Sequence, residues 1–367
     1  MTKVALAKCA DYDTTKVFEA VKKAVDLVGG IGSYVKPGMK VLLKPNLLSA
    51  RPPDDAVDTH PEVVRAVVRL VKSAGATPLI GDSPGGYGKN IDEVFNKSGM
   101  RKMAREEAVE LVKFTSSKTV DGIPISRYVF DCGCIISLPK LKTHGITILT
   151  AAIKNTYGMV VGLYKAECHS RAPKEKDFAK VIAKVYSITK PHLTVLDGIT
   201  AMEGDGPSAG YPRNMGLVMA GPDAVAIDSC IAKMIGLEPF DILITKEAYA
   251  MGYGEADLSR IEIVGEKIGD FAAADFKLPQ TTALKLIPQA VAKGFGSLIR
   301  FKPYIDVSVC TRCNLCKITC PVSAIKIERD SCAIDYKKCV RCLCCQEVCP
   351  YKAIGIKRNI LTKMVWG

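Results

Sequence analysis

The sequence predicts a mostly parallel, doubly wound α/β sheet domain over residues 1–282, followed by a small α+β domain over residues 304–367. Short apolar strands alternate with amphipathic helices in the first part, and polar or glycine-rich segments follow the strands. Cysteines recur at a fixed spacing in the second part. An amphipathic segment, 283–303, is predicted to link the two domains and to pack one against the other.

Strands and helices are predicted in alternation along the first domain. Short runs of apolar and β-branched residues predict strands at Lys3–Cys9, Lys40–Leu43, Thr77–Gly81, Glu110–Phe114, Cys134–Leu138, Leu193–Leu196, Leu217–Ala220 and Ile261–Val264. Helical spacing of apolar residues predicts helices at Thr14–Val28, 59–75, Ile148–Thr156, Lys174–Thr189, Asp223–Gly236 and Ile242–Met251. In the second helix, Thr59 is the predicted cap and Pro61 lies in the first turn.

Polar residues follow the predicted strands, at the edge of the sheet where open α/β proteins bind their ligands. The predicted catalytic residues are Lys44, Asn46, Asp82, Lys140, Lys142, His144, Lys154 and Asp197. The predicted cofactor-binding residues are Ser83, Gly85, Gly86 and Asn155. We expect the four lysines to converge on one basic cleft for a phosphate or carboxylate, although lysines are more often solvated at a surface.

The cysteines of the second domain form two runs of the same spacing. In each run, three cysteines separated by two residues precede a fourth that is followed by proline. This is the bacterial ferredoxin spacing, in which the fourth cysteine of each run binds the other 4Fe–4S cluster. Cluster one would take Cys310, Cys313, Cys316 and Cys349. Cluster two would take Cys320, Cys339, Cys342 and Cys345.

Other interpretations of these cysteines are less consistent with the spacing. A zinc site is typically built from two CxxC pairs, and a disulfide framework needs an oxidising compartment. Cys332 and Cys344 are predicted to be spare thiols. Cys132, Cys134, Cys168 and His169 could form a further metal site, but they lack a recognised ligand spacing.

Composition and charge favour an anionic or acidic partner over a nucleic acid. The 367 residues are 48% hydrophobic and carry a formal net charge of +13. The basic residues are scattered without a block of like charges, and two bound clusters would cancel about four positive charges. We therefore expect a redox protein partner or an anionic small molecule, and no nucleic acid. The sequence leaves the oligomeric state open, with a homodimer as one option.

The chain has the features of a cytoplasmic protein. It contains no stretch of 18 consecutive apolar residues, so no membrane span is predicted. Its first residues form a predicted strand and lack the apolar core of a signal peptide. Fifteen cysteines indicate a reducing compartment and are typical of an anaerobe.

Two family resemblances follow from these motifs. Residues 304–357 resemble the bacterial-type dicluster ferredoxin domain, which implies two 4Fe–4S clusters. Lys44-Pro45-Asn46, 81–86, 138–144, Lys154-Asn155 and Asp197-Gly198 occur in an order that resembles the family called domain of unknown function 362. Members of that family often carry a C-terminal dicluster ferredoxin domain. The resemblance implies an architecture and a cofactor, and it does not imply a substrate.

Three functions are consistent with the sequence. The first is an oxidoreductase that passes low-potential electrons from two clusters to a substrate or an anionic organic cofactor in the basic cleft. The second is a non-catalytic electron carrier that docks to a redox partner. The third is a non-redox enzyme with structural or sensing clusters. For the third, the α/β pattern loosely resembles nickel-dependent lactate racemase-type proteins, which implies a metal-containing cofactor held by lysine and histidine.

Overall fold

A computed structural model describes residues 1–84, 91–162, 164–172, 175–282, 301–328 and 331–358. The predicted cofactor-binding residues Gly85 and Gly86 lie outside these ranges, as does most of the predicted linker. The side chain of His169 is also outside the described part of the chain. We call residues 1–282 the α/β region and residues 301–358 the cysteine-rich region.

Sixteen strands occur in the described residues. They are β1 Thr2–Lys8, β2 Lys40–Pro45, β3 Thr77–Asp82, β4 Glu110–Lys113, β5 Ser117–Val120, β6 Ile123–Ser126, β7 Cys134–Leu138, β8 Lys140–His144, β9 Ile148–Thr150, β10 Leu193–Glu203, β11 Tyr211–Gly221, β12 Ile261–Gly265, β13 Phe301–Ile305, β14 Ile325–Ile327, β15 Cys332–Ile334 and β16 Ile354–Arg358.

Twelve α-helices occur in the same residues. They are α1 Thr14–Leu27, α2 Pro61–Ser73, α3 Ile91–Lys97, α4 Met100–Glu106, α5 Tyr128–Asp131, α6 Ala152–Asn155, α7 Tyr164–Arg171, α8 Glu175–Thr189, α9 Ala224–Met234, α10 Leu243–Ala250, α11 Leu315–Thr319 and α12 Cys344–Val348. A 3-10 turn, Thr156–Met159, continues α6 directly.

The central sheet has ten strands in the described residues, with the order β12-β1-β11-β10-β7-β2-β3-β4 and with β8 and β9 joined through β10. Most neighbours are parallel, including β2 with β3 and with β7. Strand β11 is antiparallel to both β1 and β10. The mostly parallel α/β architecture predicted from the sequence is therefore confirmed.

Apolar side chains cover both faces of this sheet. In β2, Val41 and Leu43 belong to a core cluster with Val17 of α1 and Val67 of α2. The alternate residue, Leu42, belongs to a second cluster on the other face, where α8 and α9 pack. A parallel strand buried on both sides needs apolar residues at every position, and the run of residues 41–43 provides them.

Two local predictions were wrong. The helix predicted at Ile148–Thr156 begins only at Ala152, because Ile148–Thr150 forms β9 against β8. Thr59 does not cap α2, since the capping side chain is His60, whose ring nitrogen accepts the Glu62 N–H at 3.2 Å. The first error arises because Ile148–Thr150 pairs with its sequence neighbour β8 as a hairpin, and the second because the Thr59 hydroxyl is bonded to Leu138, 79 residues away.

Thr59 instead joins two strand ends. Its hydroxyl donates to the Leu138 carbonyl at 2.6 Å and accepts the Asn46 N–H at 2.8 Å. These bonds hold the chain that leaves β2 beside the end of β7. The residues that follow both strands are therefore fixed on the same edge of the sheet, where the candidate site lies.

Candidate functional site

The two halves of the cysteine-rich region have the same local structure, 29 residues apart. Asn314 and Leu343 hold left-handed backbone at φ of 64° and 56°, and a short helix follows each of them. Cys320 and Cys349 end these helices. In each half, the N–H four residues further on donates to that cysteine sulfur, at 3.2 and 3.3 Å. Such N–H···S bonds are typical of cluster ligands.

The buried thiols of both runs are influenced by neighbouring thiols. Burial raises the pKa of the Cys316 thiol to about 11, and the neighbouring thiolates raise it further. Those thiolates belong to Cys349, Cys313 and Cys310. Burial likewise raises the pKa of Cys345, followed by the thiolates of Cys342, Cys316, Cys339 and Cys320. In each case the neighbours include the fourth cysteine of the other run, and those of Cys345 also include Cys316.

This donor set fits a cluster better than a single ion. Within the described ranges, no three His, Cys, Asp or Glu side chains are close enough to share one metal ion. A cubane does not need such proximity, because each of its four ligand sulfurs binds a different iron. The same finding gives no support to a further metal site at Cys132, Cys134 and Cys168.

The two spare thiols contact cluster-ligand cysteines. The Cys344 thiol is hydrogen-bonded to Cys342, which raises the pKa of Cys344 well above its usual value and lowers that of Cys342. If Cys342 bound a cluster as a thiolate, only Cys344 of this pair would carry a proton, so Cys344 would be the donor. The sulfurs of Cys332 and Cys310 are 3.9 Å apart.

Helix α12 of the cysteine-rich region lies against the α/β region. The Ser208 hydroxyl donates to the Gln346 carbonyl at 3.0 Å, and the Arg51 guanidinium donates to the Pro350 carbonyl. Leu343 packs so closely over Gly145 that a Cβ at this glycine would lie 2.7 Å from the leucine side chain. These contacts place the segment containing Cys345 and Cys349 directly beside the end of β8.

His144, at the end of β8, connects the two regions. Its Nδ1 accepts the N–H groups of Ile146 and Thr147, at 3.1 and 3.3 Å, so the ring proton must reside on Nε2. Nε2 lies 2.9 Å from Oε1 of the Glu347 carboxylate, which is close enough for an electrostatic contact. His144 therefore has a defined tautomer and fixes the position of an acidic side chain from the cysteine-rich region.

A pocket of about 670 Å³, including its mouth, lies between the two regions. On one side it is lined by Lys44, Asn46, Leu47, Leu48, Asp82, Ser83, Thr150, Lys154, Asn155, Tyr157, Gly158 and Lys165. On the other it is lined by Thr319, Cys344, Glu347 and Val348. We call it the interdomain pocket.

Lys44 is held in place by its own neighbours in the pocket wall. Its ammonium is 2.8 Å from Asp82 Oδ1 and donates to the Pro45 carbonyl at 2.7 Å and to Asn155 Oδ1 at 3.0 Å. An ammonium has three N–H donors, so all of them are engaged. Gly158 is required here, because a Cβ at that position would collide with both Asp82 and Lys44.

The orientation of two amides follows from this ion pair. Asn155 must present its oxygen to the Lys44 ammonium, and its Nδ2 donates to the Lys44 carbonyl and to Ser137. Asn46 donates its own Nδ2 to the same Asn155 oxygen at 3.2 Å. The Asn46 Oδ1 is consequently turned away, and it is buried without a hydrogen-bond partner in the described structure.

The other two lysines of the pocket differ from each other. The Lys165 ammonium donates to the Ser83 carbonyl, the Ser83 hydroxyl and the Pro84 carbonyl, at 2.6, 2.9 and 3.2 Å. The Lys154 ammonium forms no hydrogen bond or ion pair with any described residue. Burial lowers the pKa of Lys154, and the Glu347 carboxylate opposes this shift. Among the described lysines of the pocket, Lys154 is therefore the one whose ammonium N–H groups remain available to a ligand.

Lys140 and Asp197 form a separate buried network. The Lys140 ammonium donates to Asp197 Oδ2 at 2.9 Å and to the Tyr12 hydroxyl at 2.8 Å, and Tyr12 donates to Asp197 Oδ1. The His60 ring stacks on Tyr12 with centroids 3.6 Å apart, and burial lowers its pKa to about 4. These groups satisfy one another and do not line the interdomain pocket.

Lys142 is also engaged inside the protein. Its ammonium donates to the Val57 carbonyl, and burial lowers its pKa to about 7. Of the four lysines expected to converge, the structure places Lys44 and Lys154 in the pocket wall. Lys140 and Lys142 lie outside that wall.

Sequence reasoning missed several residues of the pocket. Thr150, Tyr157 and Lys165 come from the α/β region, and Thr319 and Glu347 come from the cysteine-rich region. The first two flank the Lys154-Asn155 motif, so closer attention to that motif could have found them. The last two carry no signal of their own, because only the packing of the two regions brings them to the pocket.

The fold and the cysteine runs define an iron–sulfur protein built on an α/β sheet. Residues 303–326, which contain the first cysteine run, match the 4Fe-4S binding domain family. Residues 41–233 match the family described as "Domain of unknown function (DUF362)". This chain belongs to that family.

One curated relative and one solved structure are similar to the chain. "Thylakoid-associated protein sll1697" of Synechocystis sp. is 36% identical over 247 residues, which cover 65% of this chain and 76% of the relative. The lactate racemase apoprotein of Thermoanaerobacterium thermosaccharolyticum is 12% identical, with a TM-score of 0.28. That likeness covers 60% of this chain and 54% of the racemase. None of the helices in the described residues is long and apolar enough to cross a membrane.

Proposed function

We propose that this protein is an iron–sulfur oxidoreductase that passes low-potential electrons from two 4Fe–4S clusters to a substrate or organic cofactor in the interdomain pocket. The composition of the pocket wall carries this proposal. Thr319, Cys344 and Val348 line the pocket, and each directly precedes a proposed ligand cysteine. A bound molecule would therefore lie next to the cluster-binding backbone.

The proposed ligands are those predicted from the sequence. Cluster one is assigned to Cys310, Cys313, Cys316 and Cys349, and cluster two to Cys320, Cys339, Cys342 and Cys345. In this division, residues 1–282 form the substrate-binding domain and residues 304–367 form the cluster-binding domain. The proposed location remains cytoplasmic, which cell fractionation would test.

We propose that electrons enter from an external redox protein near cluster one. Cys313 is exposed there, together with the apolar side chains of Val309 and Ile318 and the basic Arg312. An apolar patch beside a basic side chain suits an acidic partner, whose association should weaken as salt rises. Each cluster transfers one electron, so the pair could supply a two-electron reduction.

Metal analysis of matched variants tests the clusters. The anaerobically purified protein should contain about eight irons, and both C316A and C345A should contain about four or fewer. C132A, which removes a thiol outside both runs, should retain the full content. A wild-type content of about four irons would leave the second cluster without support.

Rapid mixing tests the delivery of electrons to the pocket. Dithionite-reduced protein would be mixed with menadione, flavin mononucleotide or glyoxylate, and reoxidation followed by visible absorbance. At least one acceptor should reoxidise the wild type at least about tenfold faster than K154M, because loss of one charge-assisted contact has roughly this effect. The exposed-site variant K102M is the control.

The alternatives give different results in the same samples. If only a co-purifying redox protein reoxidises the clusters, and K154M behaves like K102M, the protein is an electron carrier. If an activity persists unchanged in both cluster oxidation states, the clusters are structural or sensing. Nickel analysis of the purified protein tests the racemase-type version of that alternative.

A further inference from the structure

The interdomain pocket has one uncommitted positive charge. The ammonium groups of Lys44 and Lys165 already use their three donors on protein acceptors, whereas Lys154 has no such partner among the described residues. An unengaged ammonium in a cavity wall favours a ligand with a negative charge at that position. No arginine is among the described residues that line the pocket, so this part of the wall lacks the forked donors that usually bind a phosphate.

The acidic residues of the wall limit the charge of that ligand. Asp82 is paired with Lys44, and Glu347 contacts His144, so both carboxylates are fixed in position. With three lysines and two carboxylates, the described lining has a formal charge of one positive unit. A second negative charge on the ligand would face carboxylates in a partly desolvated cavity, which is unfavourable. The wall therefore suits a monoanion.

Three amide or hydroxyl oxygen atoms of the lining have no hydrogen-bond partner in the described structure. They are Asn46 Oδ1, Thr150 Oγ1 and Thr319 Oγ1. Thr150 and Thr319 are only 3% and 4% exposed, so their hydroxyl groups do not form hydrogen bonds with bulk water. The Lys44–Asn155 network uses the Asn46 Nδ2 as a donor, so the atom that remains without a partner is the Asn46 oxygen. An amide oxygen can only accept a hydrogen bond. A ligand that satisfies it must carry a hydrogen-bond donor.

We propose that the interdomain pocket binds a small organic acid with a single carboxylate and at least one hydroxyl group. The carboxylate would pair with Lys154, and the hydroxyl groups would bond to Asn46, Thr150 and Thr319. Thr150 belongs to the α/β region and Thr319 to the cysteine-rich region, so such a ligand would bridge the two. This inference rests on the proposed function only in treating the pocket as the substrate site.

Calorimetric titration of the oxidised holoprotein with small acids tests the proposal. Glycerate and propionate have the same carbon chain and charge and differ by two hydroxyl groups. Glycerate should bind at least about tenfold more tightly, because each buried oxygen left without a partner weakens binding by about this factor. Malonate, with two carboxylates, and inorganic phosphate should both bind more weakly than glycerate.

Variants assign the contacts. K154M should lower the affinity for glycerate and for propionate by at least about tenfold, and K154R should restore part of it. T150V and T319V should each weaken glycerate binding several-fold without changing the affinity for propionate. K102M removes an exposed lysine that does not line the pocket, and it should bind both acids like the wild type.

The titration separates this proposal from the function on which it rests. Binding of glycerate without any reoxidation of reduced clusters would support the ligand class and count against the oxidoreductase. Reoxidation by an acceptor without binding of any hydroxylated monocarboxylate at millimolar concentration would overturn the ligand class alone. Equal affinity for glycerate and propionate, tighter binding of malonate or phosphate, or an unaltered K154M would also overturn it.

Discussion

Buried lysines differ in function according to how many of their donors are engaged. Lys44, Lys140 and Lys154 look alike in the sequence, since each lies in a polar motif after an apolar segment. In the fold, Lys44 and Lys140 have carboxylate partners at 2.8 and 2.9 Å, while Lys154 has no partner among the described residues. A lysine with a carboxylate partner fixes the positions of the side chains that contact it. A lysine at a cavity without such a partner can form an ion pair with a ligand.

Cys344 is also distinguished at this scale. The sequence marks it as a spare thiol next to Cys345, yet it donates a hydrogen bond to the sulfur of Cys342. Hydrogen bonds to ligand sulfurs help to set cluster potentials, because they stabilise the added negative charge of the reduced state. If Cys342 binds the proposed cluster two, Cys344 would raise the reduction potential of that cluster.

Substitution of Cys344 tests this effect. C344A should lower the midpoint potential of one cluster by about 40 mV, which corresponds to a hydrogen bond of about 1 kcal/mol for a one-electron couple. C344S retains a donor and should stay closer to the wild type. Redox titration followed by electron paramagnetic resonance measures both, with C132A as the control. An unchanged potential in C344A would show that this hydrogen bond has no electronic effect.

Helix α6 shows how a short element depends on a distant one. Ala151 precedes it and offers no capping side chain, so the sequence does not mark its start. Asp228 of α9 supplies the cap, and its carboxylate accepts the N–H groups of Ala152 and Ile153 at 2.7 and 3.1 Å. The position of Lys154 in the pocket therefore depends on a carboxylate 74 residues later in the chain.

The same carboxylate gives the fold a pH dependence. Burial raises the pKa of Asp228 from 3.8 to about 7, although the two N–H groups oppose the shift. Between these values the folded state holds a proton that the unfolded state has released. The free energy of unfolding should therefore fall as pH rises through this window, by up to about 1.4 kcal/mol per pH unit.

D228N should remove this slope. An asparagine stays neutral, so the stability of the variant should depend less on pH between about 4 and 7 than that of the wild type. Urea unfolding at several pH values measures the difference. D131N replaces an exposed aspartate and should keep the wild-type slope. A wild-type slope in D228N would mean that Asp228 is ionised throughout the window.

The whole molecule depends on the contact between its two regions. Helix α12 provides one wall of the interdomain pocket, and the His144 ring contacts its Glu347 carboxylate at 2.9 Å. Further bonds come from Ser208 and Arg51 to backbone carbonyls of the same segment. Residues of both regions line the pocket, so we expect its shape to depend on these contacts.

Removal of the His144 side chain tests this linkage. H144A removes the ring that lies 2.9 Å from the Glu347 carboxylate, which should loosen α12 and weaken the contact between the two regions by roughly 1 kcal/mol. Amide hydrogen exchange in residues 343–350 should become faster, whereas exchange in β10 should not change. Equal exchange rates in both segments of the variant and the wild type would show that His144 does not hold the two regions together.

The sequence alone determined the α/β architecture and the two cysteine runs. It also placed Lys44, Asn46, Asp82 and Asn155 at one candidate site, and all four line the interdomain pocket. These features depend on local periodicity, on fixed spacing and on the rule that parallel strands end at one edge. Only the tertiary structure decided that Lys140 and Lys142 have internal partners and that Thr319 and Glu347 complete the pocket. Hydrogen-bond partners and the packing of two regions join residues far apart in the chain, and such contacts leave no pattern in the local sequence.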